Sequence, residues 1–186
     1  MFCLYRIVIR IICCVLMIYE IGPRMSGLEN QLNQLEGRCI HIVAFSEGAA
    51  AMATLLVQIT SGTSNLTAGV ISSIRTVTLL ECPYGYARDN SVFIENWRNG
   101  RLDNLPAKVA ACNTTSHIRL LNIREKSSPV QTSRPKGWTS GTNYYSIDTG
   151  SWMDKRLAYT LRWGKMHERP LHDEGSVGYL QRFIQN

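Results

Sequence analysis

The six cysteines never fall as C-x-x-C, so the paired-ligand spacing of a structural zinc site is missing. No glycine-rich phosphate loop and no His/Cys/Asp cluster occurs, which leaves no signature for a metal or a nucleotide cofactor. Charged residues make up 18% of the chain, and the basic ones do not gather into a tract. Arg75, Arg88, Arg98, Arg101, Arg119, Arg124, Lys155, Arg156, Arg162 and Lys165 are scattered. The net charge of +6 and pI of about 9.1 therefore imply a general attraction to anionic surfaces, and no nucleic-acid partner is expected. Long apolar runs are also missing. The uninterrupted stretch 11–19 falls short of the roughly 20 residues of a transmembrane helix. No internal repeat or low-complexity segment is present. A hydrophobic content of 45% in 186 residues argues against disorder and for one folded domain.

The N-terminal segment, residues 1–21, is set apart from a domain over residues 22–186. Residues 2–19 are the most apolar part of the chain, interrupted by Arg6 and Arg10. Two arginines ahead of a short apolar core resemble the n- and h-regions of a signal peptide, which would bring membrane contact or secretion. Gly22-Pro23, however, is not a small-residue cleavage pattern. The preferred reading is a buried strand over residues 14–21 that ends at Gly22-Pro23. Of the other cysteines, Cys39 adjoins an apolar strand and packs as a small hydrophobe. Cys82 and Cys112 can pair only in an oxidising compartment. The compartment is left open.

Along the rest of the chain, Ser26 is a candidate cap for a helix over residues 27–35, with Leu28, Leu32 and Leu35 on one face and Gly37 as its stop. Residues 40–45 form an apolar, β-branched run with the composition of a buried strand. An Ala/Met/Leu run of high helix propensity follows and gives out in the Ser/Thr/Gly cluster of residues 60–65. A second strand is read over residues 71–80, stopped by Pro83 and Gly85. Residues 88–105 are a polar excursion. A short helix is expected over residues 106–112 and a third strand over residues 118–123. Residues 127–142 read as loop, and Tyr144, Tyr145 and Ile147 as short strand or loop. Residues 155–163 permit helix or strand. A closing helix over residues 174–184 aligns Val177, Leu180, Phe183 and Ile184 on one face. This alternation, with continuous apolar strands, implies an α/β fold: a mostly parallel sheet flanked by helices.

The most specific feature is I-H-I-V-A-F-S-E-G-A, in which Ser46 stands between the strand and the Ala-rich helix. A serine here has two readings. It caps the helix, or it forms a nucleophile elbow, a strained turn that needs small neighbours and lifts the hydroxyl clear of the sheet. Gly48 matches the second glycine of G-x-S-x-G, and Ala44 replaces the first. Together with T-V-T-L-L-E-C-P-Y-G, I-R-L-L-N-I-R-E-K-S-S-P-V and H-E-R-P-L-H-D-E-G-S-V-G-Y-L-Q-R-F-I, the order of segments resembles the later two-thirds of a small α/β-hydrolase of the lipase and esterase type, over roughly residues 18–185.

The resemblance implies a serine hydrolase acting on a small-molecule or lipid ester or acyl substrate, with no cofactor and no metal. Ser46 would be the nucleophile and His167 the general base. The backbone N–H of Glu47 would contribute to an oxyanion hole. His172 competes with His167 for the base, and Asp173 beside it reads as a helix-capping acid. His41 reads as a packed core histidine and His117 as a loop or surface residue. Two departures from the family stand out. Ser128 occupies the position where the family carries aspartate, which leaves Glu125 and Glu81 as substitute acids. A solvated loop carboxylate is the competing reading of each, and Asp148 and Asp154 are weaker candidates. About forty residues precede Ser46, and none reads as the H-G-G-type loop that supplies the second oxyanion donor. These departures imply a shortened or divergent relative, with catalysis impaired. Two further readings follow: a hydrolase-like fold that acts by binding, and a small secreted or anchored protein in which the elbow is coincidental.

Overall fold

The computed structural model describes residues 7–12, 21–82, 105–126, 137–140, 142–148 and 169–186, with residues 7–12, 21–24, 47, 105 and 106 described by their backbone. The elements are β1 (Ile7–Ile12), α1 (Ile21–Asn33), β2 (Ile40–Phe45), α2 (Glu47–Ser61), α3 (Ala68–Ser73), β3 (Ile74–Leu80), α4 (Leu105–Thr115), β4 (Arg119–Glu125), β5 (Tyr144–Ile147) and α5 (Glu174–Gln185). The strands form one sheet in the order β1-β2-β3-β4-β5, and every neighbouring pair is parallel. The α/β architecture expected from the alternation is thus present.

A strand order that never reverses, joined by crossovers of the usual hand, stacks the connecting helices on one face. The main core follows that rule. Ile40, Ile42 and Ala44 of β2, Val77 and Leu79 of β3 and Leu120 of β4 meet Leu32 of α1, Met52, Leu55 and Leu56 of α2, Val70 of α3 and Val109 of α4. The opposite face carries Val43, Phe45, Leu80, Leu121 and Ile123, and α5 lays Tyr179, Leu180, Phe183 and Ile184 against it. Burial on both faces explains why β2 reads as an unbroken apolar run. At about 25 cal/mol per Å² of apolar surface buried, each fully buried leucine contributes about 2 kcal/mol.

Several boundaries differ from the sequence expectation. The strand beside β2 is Ile7–Ile12, which pairs in register from Ile7 with Ile40 to Ile12 with Phe45; of the strand expected over residues 14–21, only Ile21 is described, and it opens α1. Gly22-Pro23 does not break the chain. It lies in the first turn of α1, where proline's missing N–H has no helical partner to lose. Ser26 is accordingly inside α1 rather than its cap. Ile71 belongs to α3, because Thr67 accepts a bond from the Val70 N–H at 3.2 Å and starts a helical turn there; β3 begins only at Ile74. Tyr144–Ile147 is a strand. Asp173 caps α5 by accepting from the Ser176 N–H at 2.7 Å, the role read for it from sequence. The expectations for residues 14–20, 88–104, 127–136 and 155–163, and for Pro83 and Gly85 as stops, lie outside the described residues. Among the described residues no helix is long and apolar enough to cross a membrane.

Candidate active site

In a parallel sheet all strands exit at the same edge, so the residues that follow them gather there. The ladder here continues into the turns. The Ser46 N–H donates to the Leu80 carbonyl, the Glu81 N–H to the Ile123 carbonyl and the Lys126 N–H to the Ile147 carbonyl, each at 2.9 Å. Ser46, Glu81 and Glu125 are therefore held side by side at the exits of β2, β3 and β4.

Ser46 has φ 54° and ψ −123°, a conformation that a residue with a Cβ adopts at a cost of about 1–3 kcal/mol. One residue separates the end of β2 from the start of α2, and only a positive φ reverses the chain so quickly. The neighbours are small or sealed: Ala44, Ala49 and Ala53 are fully buried and Ala50 nearly so. That is what allows α2 to sit close above its own strand. The Ser46 side chain makes no capping hydrogen bond to α2, which removes the reading of Ser46 as a simple cap. Its carbonyl instead accepts from the N–H groups of Ala49 and Ala50 at 2.9 and 3.2 Å. The N–H groups of Glu47 and Gly48 belong to the first turn of α2, which no earlier helical carbonyl serves, and the helix dipole adds partial positive charge there. A hydroxyl at the head of such a turn lies beside donors suited to a developing oxyanion.

Among the described residues Glu81 is the other non-glycine with positive φ, at 51°. Both Glu81 and Glu125 are 0% exposed, and Glu125 is the last residue of β4 rather than part of a loop. The reading of either as a solvated loop carboxylate is thereby corrected: the ladder draws both strand exits into the protein. A Glu81 carboxylate oxygen accepts from the Glu125 N–H, so the side chain of one exit clamps the backbone of the next. Sequence reasoning found both glutamates as candidates and missed this clamp. The one available signal was an acid placed directly after an apolar strand and before Cys82-Pro83.

The remaining candidates separate clearly. Asp148 is exposed and pairs with Lys126 at 3.4 Å. His41 lies near the entry end of β2, 5% exposed, with Nδ1 at 2.8 Å from Thr76 Oγ1; it is a core residue remote from Ser46. His117 is on the surface, with Nε2 2.9 Å from the Ile71 carbonyl. His172 is exposed on the helical turn that precedes α5. His167, Ser128 and Asp154 lie outside the described residues. Cys82 and Cys112 are both buried and form no disulfide. Burial pushes the Cys112 thiol up, opposed by hydrogen bonding to Thr60 and backbone. No group of three or more His, Cys, Asp or Glu residues able to hold a metal occurs among the described residues.

No known family model matches the chain, and no curated protein does. What bears on function is therefore the chemistry of these residues.

Proposed function

We propose that this chain is a serine hydrolase of the α/β-hydrolase type, which cleaves an ester or other acyl substrate with Ser46 as nucleophile. The observation that carries the reading is the strained backbone of Ser46 at the head of α2. Strain of this kind persists only where surrounding structure enforces it, and it concentrates at functional positions. In this reading His167 takes the hydroxyl proton as Ser46 attacks the acyl carbonyl, then returns it to the leaving group. The Glu47 N–H stabilises the oxyanion. The acid that orients the base comes from the buried pair Glu81 and Glu125 at the two neighbouring strand exits. The substrate is a small-molecule or lipid ester.

Sustained turnover of a short-chain p-nitrophenyl ester by the purified full chain tests the proposal. Turnover that falls to the buffer rate in Ser46→Ala supports it. Turnover unchanged by that substitution, or none in well-folded wild-type protein, contradicts it.

A further inference from the structure

The sheet places a second set of chemically matched side chains at its entry edge, one strand length from Ser46. Cys39 directly precedes β2, is half-buried and carries a free thiol. Its Sγ lies 3.5 Å from His41 Nε2, within hydrogen-bonding reach for sulfur. The other ring nitrogen, Nδ1, is held at 2.8 Å by Thr76 Oγ1 on the adjacent strand. Thr76 is fully buried, so the hydroxyl fixes the plane and depth of the imidazole. Two residues apart on an extended segment, Cys39 and His41 fall on the same side of the strand, which is why the sulfur meets the ring. A nucleophile, a base in contact with it and a third group orienting the base are the three parts of an activated nucleophile. A six-residue strand spans about 20 Å, so this set is separate from the Ser46 edge.

We propose that Cys39 is a reactive thiol, activated by His41 and positioned by Thr76, which forms a mixed disulfide with small-molecule disulfides. In the ring form with the proton on Nδ1, that N–H donates to Thr76 Oγ1 and Nε2 accepts from Cys39 Sγ. As Sγ attacks one sulfur of the disulfide, the thiol proton passes to Nε2. The Cys39 Sγ–S bond forms and the S–S bond of the reagent breaks. The departing thiolate then takes the proton from Nε2 and leaves as a thiol. The cysteine is oxidised to a disulfide and half of the reagent is reduced to a thiol, so no other reactant is needed. Cys82 and Cys112, fully buried, are excluded from this chemistry while the fold is intact.

The reduced full chain is mixed with dithiodipyridine, release of thiopyridone is followed by absorbance, and the modified residue is located by peptide mass. Cys39 is expected to react about tenfold faster than glutathione does with the same reagent at the same pH, a modest share of what a positioned base supplies. That fast phase disappears in Cys39→Ser. Thr76→Val slows it severalfold and Thr76→Ser restores it, which a purely structural role for Thr76 would not produce. A Cys39 rate equal to or below that of glutathione overturns the proposal on wild-type protein alone, even if the Thr76 variants misfold. A fast phase that maps to a cysteine other than Cys39 also overturns it.

Discussion

Replacing Ser46 by glycine and by alanine separates backbone strain from chemistry. Both variants lack the hydroxyl. Alanine keeps a Cβ at φ 54°, whereas glycine adopts positive φ without steric cost. Relief of the strain stabilises the glycine variant by about 1–3 kcal/mol. The greater freedom of glycine in the unfolded chain takes back about 0.5–1 kcal/mol. The net expectation is a Ser46→Gly protein more stable than Ser46→Ala by about 1 kcal/mol, within a range of about 0–2.5 kcal/mol. For a chain of this size each kcal/mol moves the melting temperature by about 2–4 °C. Urea denaturation followed by circular dichroism reads the difference as a shift in midpoint at constant slope. Ser46→Gly less stable than Ser46→Ala would refute the strained turn, and with it the reason for singling out this serine.

Two further outcomes follow from the buried groups. Glu81→Ala strips the acceptor from the buried Glu125 N–H and is expected to destabilise by about 1–3 kcal/mol, whereas Glu81→Gln keeps an oxygen there and costs less; equal urea midpoints for the two variants would contradict the clamp. If Glu81 orients the base, Glu81→Gln also lowers kcat, and wild-type kcat in that variant passes the role to Glu125. The Cys112 thiol is raised above its ordinary value of 9.0 by desolvation, so the folded chain holds this proton to higher pH than the unfolded chain does. Its contribution is complete below about pH 9 and is lost as pH rises through the folded value. Urea midpoints of wild type should therefore fall more steeply than those of Cys112→Ala as pH rises above 9.0, and parallel curves would contradict this.

The parts of the fold legible in the sequence are those where local pattern and burial agree. Ile40–Phe45 is apolar because both its faces are covered, and α5 shows its half-buried apolar stripe and its Asp173 cap directly. The start of α1 was hidden because Pro23 reads equally as a breaker and as a first-turn residue. Ile71 extends an apolar run that the Thr67 cap assigns to a helix, and composition alone cannot divide that run. β1 was not legible because Arg10 interrupts its pattern, and pairing with β2, a long-range contact, fixes where the strand lies. Of the site, Ser46 was legible from small residues around a strand-to-helix junction. The burial of Glu81 and Glu125 was not, because a carboxylate after a strand defaults to solvent unless the neighbouring exit closes over it. The Cys39–His41–Thr76 contact joins residues 35 or more positions apart at its far end, and register between β2 and β3 creates it.

The central claim, an activated serine at residue 46, is tested most directly by labelling the purified full chain with a fluorophosphonate probe and locating the adduct by mass spectrometry. The account predicts one adduct, on Ser46, abolished in both Ser46→Ala and His167→Ala. Well-folded wild-type protein that takes no label, or takes it at another residue, would contradict it.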